Sequence, residues 1–201
     1  YFPIDGVLGG MFRLCEKLFG LINNERESLF VEPGHEPPVG LPSAEEGGPV
    51  EVWHPEVKFY EIRDADGSHL GSFYADWHPR DSKRGGAWMD DVRGRWQRPD
   101  TGVLQTPVAH LVCNFAEGVN GQPALLTHDD VITLFHEFGH ALHGLFSKVN
   151  YPTLAGTNVP RDFVEYPSQV NEMWATWPDV LKNYAVHYQT GEAMPQALLD
   201  K

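Results

Sequence analysis

The sequence predicts an α+β fold in which two long helices pack beside a small mixed β-sheet. Segments rich in β-branched and aromatic residues fill the middle of the 201-residue chain, and apolar residues recur at helical spacing in its last third. The composition is 41% hydrophobic, which supplies enough apolar surface for a folded core. We therefore expect one domain that spans residues 1–201.

The chain begins with a predicted helix over residues 5–20, in which apolar side chains fall mostly on one face. Asp5 is suited to cap the N-terminus of this helix, and Gly20 is suited to end it. Residues 32–50 are dense in proline and glycine. We expect an insertion or mobile loop there, because such a composition does not support a regular element.

A β-hairpin is predicted after this loop. Residues 57–63 are rich in strand formers, residues 64–67 form an Asp- and Gly-containing turn, and residues 72–77 can pair back. Residues 106–115 contain a further strand. These segments make up the predicted sheet.

Two glycines mark another strand segment. Gly85 and Gly86 precede Ala87, and glycine at the start of a strand indicates a bulge or the close approach of another backbone. An extended peptide substrate is one candidate for that backbone, since it can pair with a strand edge. The alternative is that the glycines relieve packing within the domain.

The last third of the chain carries the two predicted helices. Thr127 and Asp130 form a start that resembles a capping box, and the helix then continues to about residue 146. A second helix is predicted over residues 161–174. Pro167 should kink or divide it, because proline lacks the N–H that the helix interior requires.

Charge and cysteine content exclude several classes of protein. Lys and Arg total 15 against 28 Asp and Glu, and a net charge of -13 argues against binding to nucleic acid or anionic membrane. No stretch approaches the length of a membrane span, and no signal peptide is visible, so we expect a cytoplasmic location. Cys15 and Cys113 match no metal-ligand spacing and are predicted to be reduced and buried.

A histidine pair in the first long helix predicts a metal site. His136 and His140 are four residues apart, so they share a helix face and can bind one ion. Glu137 projects beside that ion, where it is placed to act as a general base. The competing interpretation is a solvated surface pair, which the apolar residues around the histidines disfavour.

Zinc requires a third protein ligand. His143 lies about 10.5 Å along the helix axis from His136, too far to share the ion comfortably. Glu165, Gln169 and Glu172 share one face of the second helix, because they are spaced i, i+4 and i+7. Spacing does not choose between Glu165 and Glu172, and an ordinary solvated face would show the same stripe.

These motifs resemble the thimet oligopeptidase family of zinc metallopeptidases. Residues 134–143 read Leu-Phe-His-Glu-Phe-Gly-His-Ala-Leu-His, and residues 161–169 read Arg-Asp-Phe-Val-Glu-Tyr-Pro-Ser-Gln. Both runs are similar to the two signature helices of that family. The similarity extends to residues 85–89, 112–115 and 121–126. It covers most of the chain outside residues 32–50.

The resemblance implies a zincin-like catalytic core that binds one zinc ion per chain and hydrolyses short peptides. In the family, the glutamate of the second signature is the third zinc ligand, which corresponds to Glu165 beside His136 and His140. Glu137 is then the general base.

Three further side chains are expected to orient the imidazoles by hydrogen bonds, namely His143, Gln169 and Glu172. The subgroup stays open between two types. Residues 156–161 and 171–175 look like peptidyl-dipeptidase, whereas residues 53–55 and 127–129 look like oligopeptidase A. We favour the first slightly.

Two parts of the family pattern are not expected in these residues. One is a large N-terminal helical domain, and the other is a downstream Gly- and Tyr-rich segment whose His and Tyr stabilise the reaction intermediate. The alternative to an active peptidase is therefore a zinc-binding but catalytically incomplete fragment. Faces that would meet the other parts should be apolar, which favours self-association. A scaffold role has little support.

Overall fold

The computed structural model describes residues 2–199 and has an α+β fold, as predicted. Its helices are α1 (Ile4–Phe19), α2 (His128–Leu145), α3 (Arg161–Ala175), α4 (Pro178–Leu181) and α5 (Gln196–Leu199). Its strands are β1 (Ile22–Arg26), β2 (Ser28–Phe30), β3 (Val50–Val52), β4 (Lys58–Arg63), β5 (His69–Asp76), β6 (Trp88–Arg93), β7 (Trp96–Gln97), β8 (Leu104–Gln105) and β9 (Val108–Val112). None of the described helices is long and apolar enough to cross a membrane.

The main sheet has five strands in the order β1-β4-β5-β9-β6. β4 and β5 form the predicted antiparallel hairpin, β9 runs parallel to β5, and β6 runs antiparallel to β9. The sheet is therefore mixed, as expected. Within the described residues β6 is an edge strand, so one side of its backbone has no strand partner.

A hydrophobic core joins one face of this sheet to α1 and α2. Phe73 of β5 and Phe138 of α2 are both fully buried, with ring centroids 5.6 Å apart in an edge-on arrangement. Val7 and Met11 of α1 are buried in the same cluster. Because one face of α2 is packed in this core, the position of its remaining face is fixed relative to the sheet.

The N-terminus of α2 follows the predicted capping box. The Asp130 backbone N–H donates to Thr127 Oγ1 at 3.1 Å, and the Thr127 N–H donates to the Asp130 carboxylate at 2.8 Å. The prediction for α1 was partly wrong. Pro3, not Asp5, precedes the first turn, and Asp5 lies within it, where its charge complements the helix dipole. Gly20 ends α1 in the left-handed conformation with φ 72°.

Residues 32–50 form a loop apart from a 3₁₀ turn at Ala44–Glu46 and the first residue of β3. Strands β1, β2 and β3 were not predicted. The β1 sequence is Ile-Asn-Asn-Glu-Arg, and its side chains lie mostly at the surface. An edge strand with polar side chains lacks the apolar alternation on which such a prediction depends.

Pro167 does not divide α3, which is continuous from Arg161 to Ala175. Contacts with α2 hold both halves of the helix, and they offset the backbone hydrogen bond that proline cannot make. Both cysteines are free and buried, as predicted.

Candidate metal centre

Three ligand atoms converge between α2 and α3. Glu165 Oε2 lies 3.2 Å from His136 Nε2 and 3.1 Å from His140 Nε2. One ligand atom from each of these residues can be chosen so that all three lie within 4.8 Å of one another. Two ligands at tetrahedral positions around zinc, with bonds of about 2.0–2.1 Å, are separated by about 3.3 Å. The two imidazoles and the carboxylate therefore fit a zinc ion.

Close packing of the two helices depends on Gly139. A Cβ atom at this position would lie 2.7 Å from the Cα of Ser168 and 3.0 Å from the Cβ of Asn171, both on α3. The Asn171 side-chain amide also donates to the Phe135 carbonyl of α2 at 2.6 Å. The absent side chain and this hydrogen bond set the helix separation that brings Glu165 to the histidines.

Glu165 is held by a serine that the sequence analysis did not select. The fully buried Ser168 hydroxyl lies 3.0 Å from Glu165 Oε2 and 2.8 Å from the Glu165 carbonyl. Burial opposes ionisation of Glu165, but the hydrogen bond from Ser168 and the two nearby histidines outweigh it and lower its pKa. Glu165 is thus ionised at neutral pH. The sequence contained one indication of this contact, since Ser168 follows Glu165 by three residues and the two therefore share a helix face.

The structure distinguishes the positions of Glu165 and Glu172, between which the sequence spacing could not choose. Glu165 meets the Nε2 side of His136, whereas Glu172 Oε1 lies 2.5 Å from His136 Nδ1. A carboxylate only accepts hydrogen bonds, so the contact with Glu172 favours the tautomer with the proton on Nδ1, which would leave the Nε2 lone pair for a metal.

His140 is suited to bind metal as a neutral imidazole. Burial lowers its pKa more than Glu165 raises it. Its Nδ1 is buried without a hydrogen-bond partner among residues 2–199. His140 therefore presents Nε2 to the site in the uncharged form that metal ligation needs.

Glu137 belongs to α2 and lies close to β6, since the backbone N–H of Met89 influences its pKa. Its side chain is buried, with 7% of the residue exposed. Burial raises its pKa, while His136 and the backbone N–H of Met89 act in the opposite direction. A carboxylate with a raised pKa beside the candidate metal ligands could accept a proton from water.

The other expected site residues lie further from the ligands. His143 is half-buried, with its ring centroid 6.3 Å from that of Phe163, and its Nδ1 has no partner in the described part of the chain. Gln169 is exposed on α3. Neither forms the expected hydrogen bond to His136 or His140 within residues 2–199.

The segment Gly85–Ala87 leads into β6 and is open at its two glycines, whereas Ala87 is half-buried and packs against the hydrophobic core. No atom lies within 4 Å of a Cβ placed on Gly85 or Gly86, so neither glycine accommodates a packing neighbour among the described residues. Gly86 has φ 94°, which glycine adopts readily. The register shift of β6 falls between Asp91 and Arg93, so the bulge considered for the glycines lies at the other end of the strand.

Comparison with the sequences of known proteins shows the family of this chain. The chain is 44% identical over 202 residues to oligopeptidase A of Salmonella typhimurium and 48% identical over 202 residues to dipeptidyl carboxypeptidase of Escherichia coli. A thimet-like oligopeptidase of Dictyostelium discoideum is 37% identical over 206 residues. Each match covers 100% of this chain but only 26–27% of the relative, so the chain spans about a quarter of these proteins. The sequence profile of peptidase family M3 matches residues 1–201, and the chain belongs to that family.

Proposed function

We propose that residues 1–201 form a zincin-like catalytic domain of a peptidase that hydrolyses short oligopeptides with one bound zinc ion. The observation that carries this proposal is the convergence of His136, His140 and Glu165 on one point, with Glu137 beside them. Peptides are the proposed substrates because the similar proteins are named as oligopeptidases and a dipeptidyl carboxypeptidase.

His136, His140 and Glu165 would hold the metal. Zinc in such a site supplies Lewis-acid activation of a carbonyl group and of water. The chain's contribution is to fix its ligands before the ion binds. Glu172 holds the His136 ring and its tautomer, and Ser168 holds the Glu165 carboxylate.

Glu137 is the proposed general base. It accepts a proton from the attacking water and then donates that proton to the amide nitrogen that leaves, so it ends the cycle ionised again. Its burial supports both steps, because a raised pKa brings the proton affinity of the carboxylate closer to that of the groups with which it exchanges the proton. The Met89 backbone N–H opposes this rise in pKa, so the carboxylate lies close to β6.

The edge of β6 and the segment Gly85–Ala87 are proposed to bind the substrate backbone. A peptide that pairs with an open strand edge gains backbone hydrogen bonds whatever its side chains are. The absence of neighbours within 4 Å of the Gly85 and Gly86 Cβ positions leaves space for that backbone. The peptide would then lie beside Glu137.

A second candidate is a core that binds zinc without efficient turnover. The observation that favours it is the length of the match, because these residues correspond to about a quarter of each relative. In the thimet oligopeptidase family, a His and a Tyr outside the matched motifs stabilise the reaction intermediate. Loss of one such donor reduces kcat by about 10²–10³-fold.

The deciding experiment measures cleavage of a quenched fluorescent peptide and the zinc content of the same samples. Wild type is compared with Glu137→Gln, and with Glu16→Gln on the exposed side of α1 as a matched control. We expect about one zinc per chain in all three, with cleavage lost only in Glu137→Gln. Zinc without cleavage in any sample would favour the incomplete core. A folded chain that binds no zinc would overturn both candidates.

A further inference from the structure

The backbone between Lys83 and Trp88 is fastened by side chains rather than by a strand partner. It is the last part of the connection from β5 to β6, and it contains the two open glycines. Two side chains, those of Lys83 and Asn114, attach it to the rest of the domain. A third, that of Arg84, contacts Trp88 within the segment.

Lys83 anchors the beginning of this segment. Its side chain is 4% exposed, and its ammonium donates to Asp76 Oδ1 at 2.9 Å, to the Asp76 carbonyl at 2.9 Å and to the His78 carbonyl at 2.7 Å. All three ammonium N–H groups are therefore used. Asp76 ends β5, so Lys83 ties the returning loop directly to the sheet.

Asn114 anchors the middle of the segment. The last paired residues of β6 and β9 are Trp88 and Val112, and Asn114 lies two residues beyond that pair. Its side-chain amide donates to the Gly86 carbonyl at 2.7 Å and to the Arg84 carbonyl at 3.0 Å. Both N–H groups of the amide are used, and they continue the ladder where backbone pairing stops.

Asn114 is itself held rigidly. The backbone N–H of Cys113 donates to the Asp76 carbonyl at 2.9 Å, and that of Phe115 donates to the Trp77 carbonyl at 2.8 Å. At the far end of the segment, the Arg84 guanidinium lies 4.3 Å from the centre of the Trp88 ring. The segment is thus attached to the sheet through Asn114, and no atom lies within 4 Å of a Cβ placed on Gly85 or Gly86.

From this arrangement we infer that Asn114 and Lys83 are positioning residues, which hold the backbone of residues 84–87 in the shape that an extended peptide pairs with. The inference rests on the proposed function, since it concerns the same substrate edge. Flexible glycines bind a peptide well only when their backbone is already ordered, because ordering them on binding would reduce the affinity. Asn114 and Lys83 supply that order in advance.

The test uses zinc-loaded chain that carries Glu137→Gln, so that a bound peptide is not cleaved. Fluorescence anisotropy gives the Kd of a fluorescein-labelled hexapeptide of alanine and glycine, and zinc content and Tm are measured on the same samples. Asn114→Ala removes the amide, and Asn114→Asp keeps its shape without the two donors. Asn183→Ala is the matched control, because its amide also donates to one backbone carbonyl, at 3.1 Å, on α4.

We expect both Asn114 variants to raise the peptide Kd by about 10-fold or more, with zinc content unchanged, and Asn183→Ala to leave it unaltered. A second readout is the Kd ratio between a backbone N-methylated hexapeptide and the unmodified one. This ratio should be large in the parent and should approach one in the Asn114 variants, which a loss of stability alone would not produce.

Two results would overturn the inference while leaving the proposed function intact. The first is an unchanged peptide Kd in both Asn114 variants, and the second is a parallel loss of zinc and peptide binding, which would assign Asn114 a general structural role. A parent chain that binds zinc but no peptide would instead refute the proposed substrate edge, and the inference would fail with it.

Discussion

Glu172 and Glu165 contact opposite nitrogens of the same imidazole, that of His136. Glu172 Oε1 lies 2.5 Å from Nδ1, and Glu165 Oε2 lies 3.2 Å from Nε2. The two glutamates are two turns apart on α3, so one helix supplies both a candidate ligand and the group that orients another ligand. The ring cannot rotate without breaking the bond to Glu172.

Replacing Glu172 should therefore weaken zinc binding although Glu172 is not a proposed ligand. We expect Glu172→Ala to lower zinc affinity about 10–100-fold, because His136 loses its fixed tautomer and orientation. Competition with a fluorescent chelator measures this. Gln169→Ala is the matched control, since Gln169 lies on the same helix but is exposed. Equal zinc affinity in the two variants would contradict the role of Glu172.

Gly139→Ala should separate α2 from α3. The new methyl group would lie 2.7 Å from the Ser168 Cα, so α3 must move and carry Glu165 away from the histidines. We expect a loss of about 1–3 kcal/mol in the free energy of unfolding, together with weaker zinc binding. Gly9→Ala is the control, because in α1 a Cβ meets only the end of the Arg13 side chain at 3.4 Å. It should be neutral or stabilising, by up to about 1 kcal/mol.

Gly85→Ala should affect peptide binding and leave the fold intact. The Cβ would meet nothing within 4 Å, so we expect a change in unfolding free energy of less than about 0.5 kcal/mol. A peptide backbone that pairs beside Gly85 would contact the methyl group, which should raise its Kd or KM. Gly94→Ala is an equally open position at the other end of β6 and serves as the control. If both variants bind peptide like wild type, the substrate does not approach Gly85.

The buried Asp76 network predicts a stability that depends on pH. Arg80 donates two hydrogen bonds at 2.8 Å to Asp76, which Lys83 and Trp53 also contact. Burial opposes ionisation of Asp76, but these bonds prevail and lower its pKa from 3.8 to about 2. Because the folded-state pKa is depressed, the network stabilises fully above about pH 4, and this stabilisation is lost as the pH falls toward 2.

Asp76→Asn should reduce the free energy of unfolding by about 2–3 kcal/mol at pH 7, since it leaves the Lys83 ammonium buried beside a neutral group. The difference from wild type should shrink between pH 4 and pH 2, as measured by thermal unfolding across that range. Asp100→Asn is the control, because its pair with Arg98 is fully at the surface. If the difference in unfolding free energy between Asp76→Asn and wild type stays constant down to pH 2, Asp76 is not the source of the pH dependence.

Self-association is predicted through one face of α3. Four large side chains there are exposed, namely Phe163, Tyr166, Val170 and Met173. An exposed apolar surface of this kind favours pairing with a second copy of the chain. We expect the apparent mass in sedimentation to rise with concentration, and Met173→Lys to reduce that rise. Lys182→Glu, at the exposed residue that follows α4, should not reduce it. A wild-type chain that stays monomeric at high concentration would contradict the prediction.

The parts of the fold that could be predicted are those whose determinants are local. The capping box of Thr127 and Asp130 lies within four residues, and the H-E-x-x-H spacing lies within five. The β4–β5 hairpin is likewise set by adjacent residues and one turn. In each case the interacting groups are neighbours in the sequence, so the pattern itself contains the geometry.

The parts that could not be predicted depend on contacts between distant segments. Glu165 and Glu172 have the same helical phase, and only the approach of α3 to Gly139 decides which one meets Nε2 of His136. Asn114 and Lys83 acquire their contacts from the way β5, β6 and β9 are arranged in the sheet. No spacing in the sequence encodes that arrangement.

Helix α3 carries Glu165, yet only Ser168 and Ala175 of its 15 residues are buried. An element with few fully buried residues has a lower free energy of local unfolding than the core against which it packs. Metal bound across α2 and α3 would add its own binding free energy to the docked state, about 2.7 kcal/mol when free zinc is 100 times Kd. The fraction of molecules with α3 docked would then increase with the concentration of free zinc. A chelator should release this helix to hydrogen exchange and proteolysis long before the sheet unfolds.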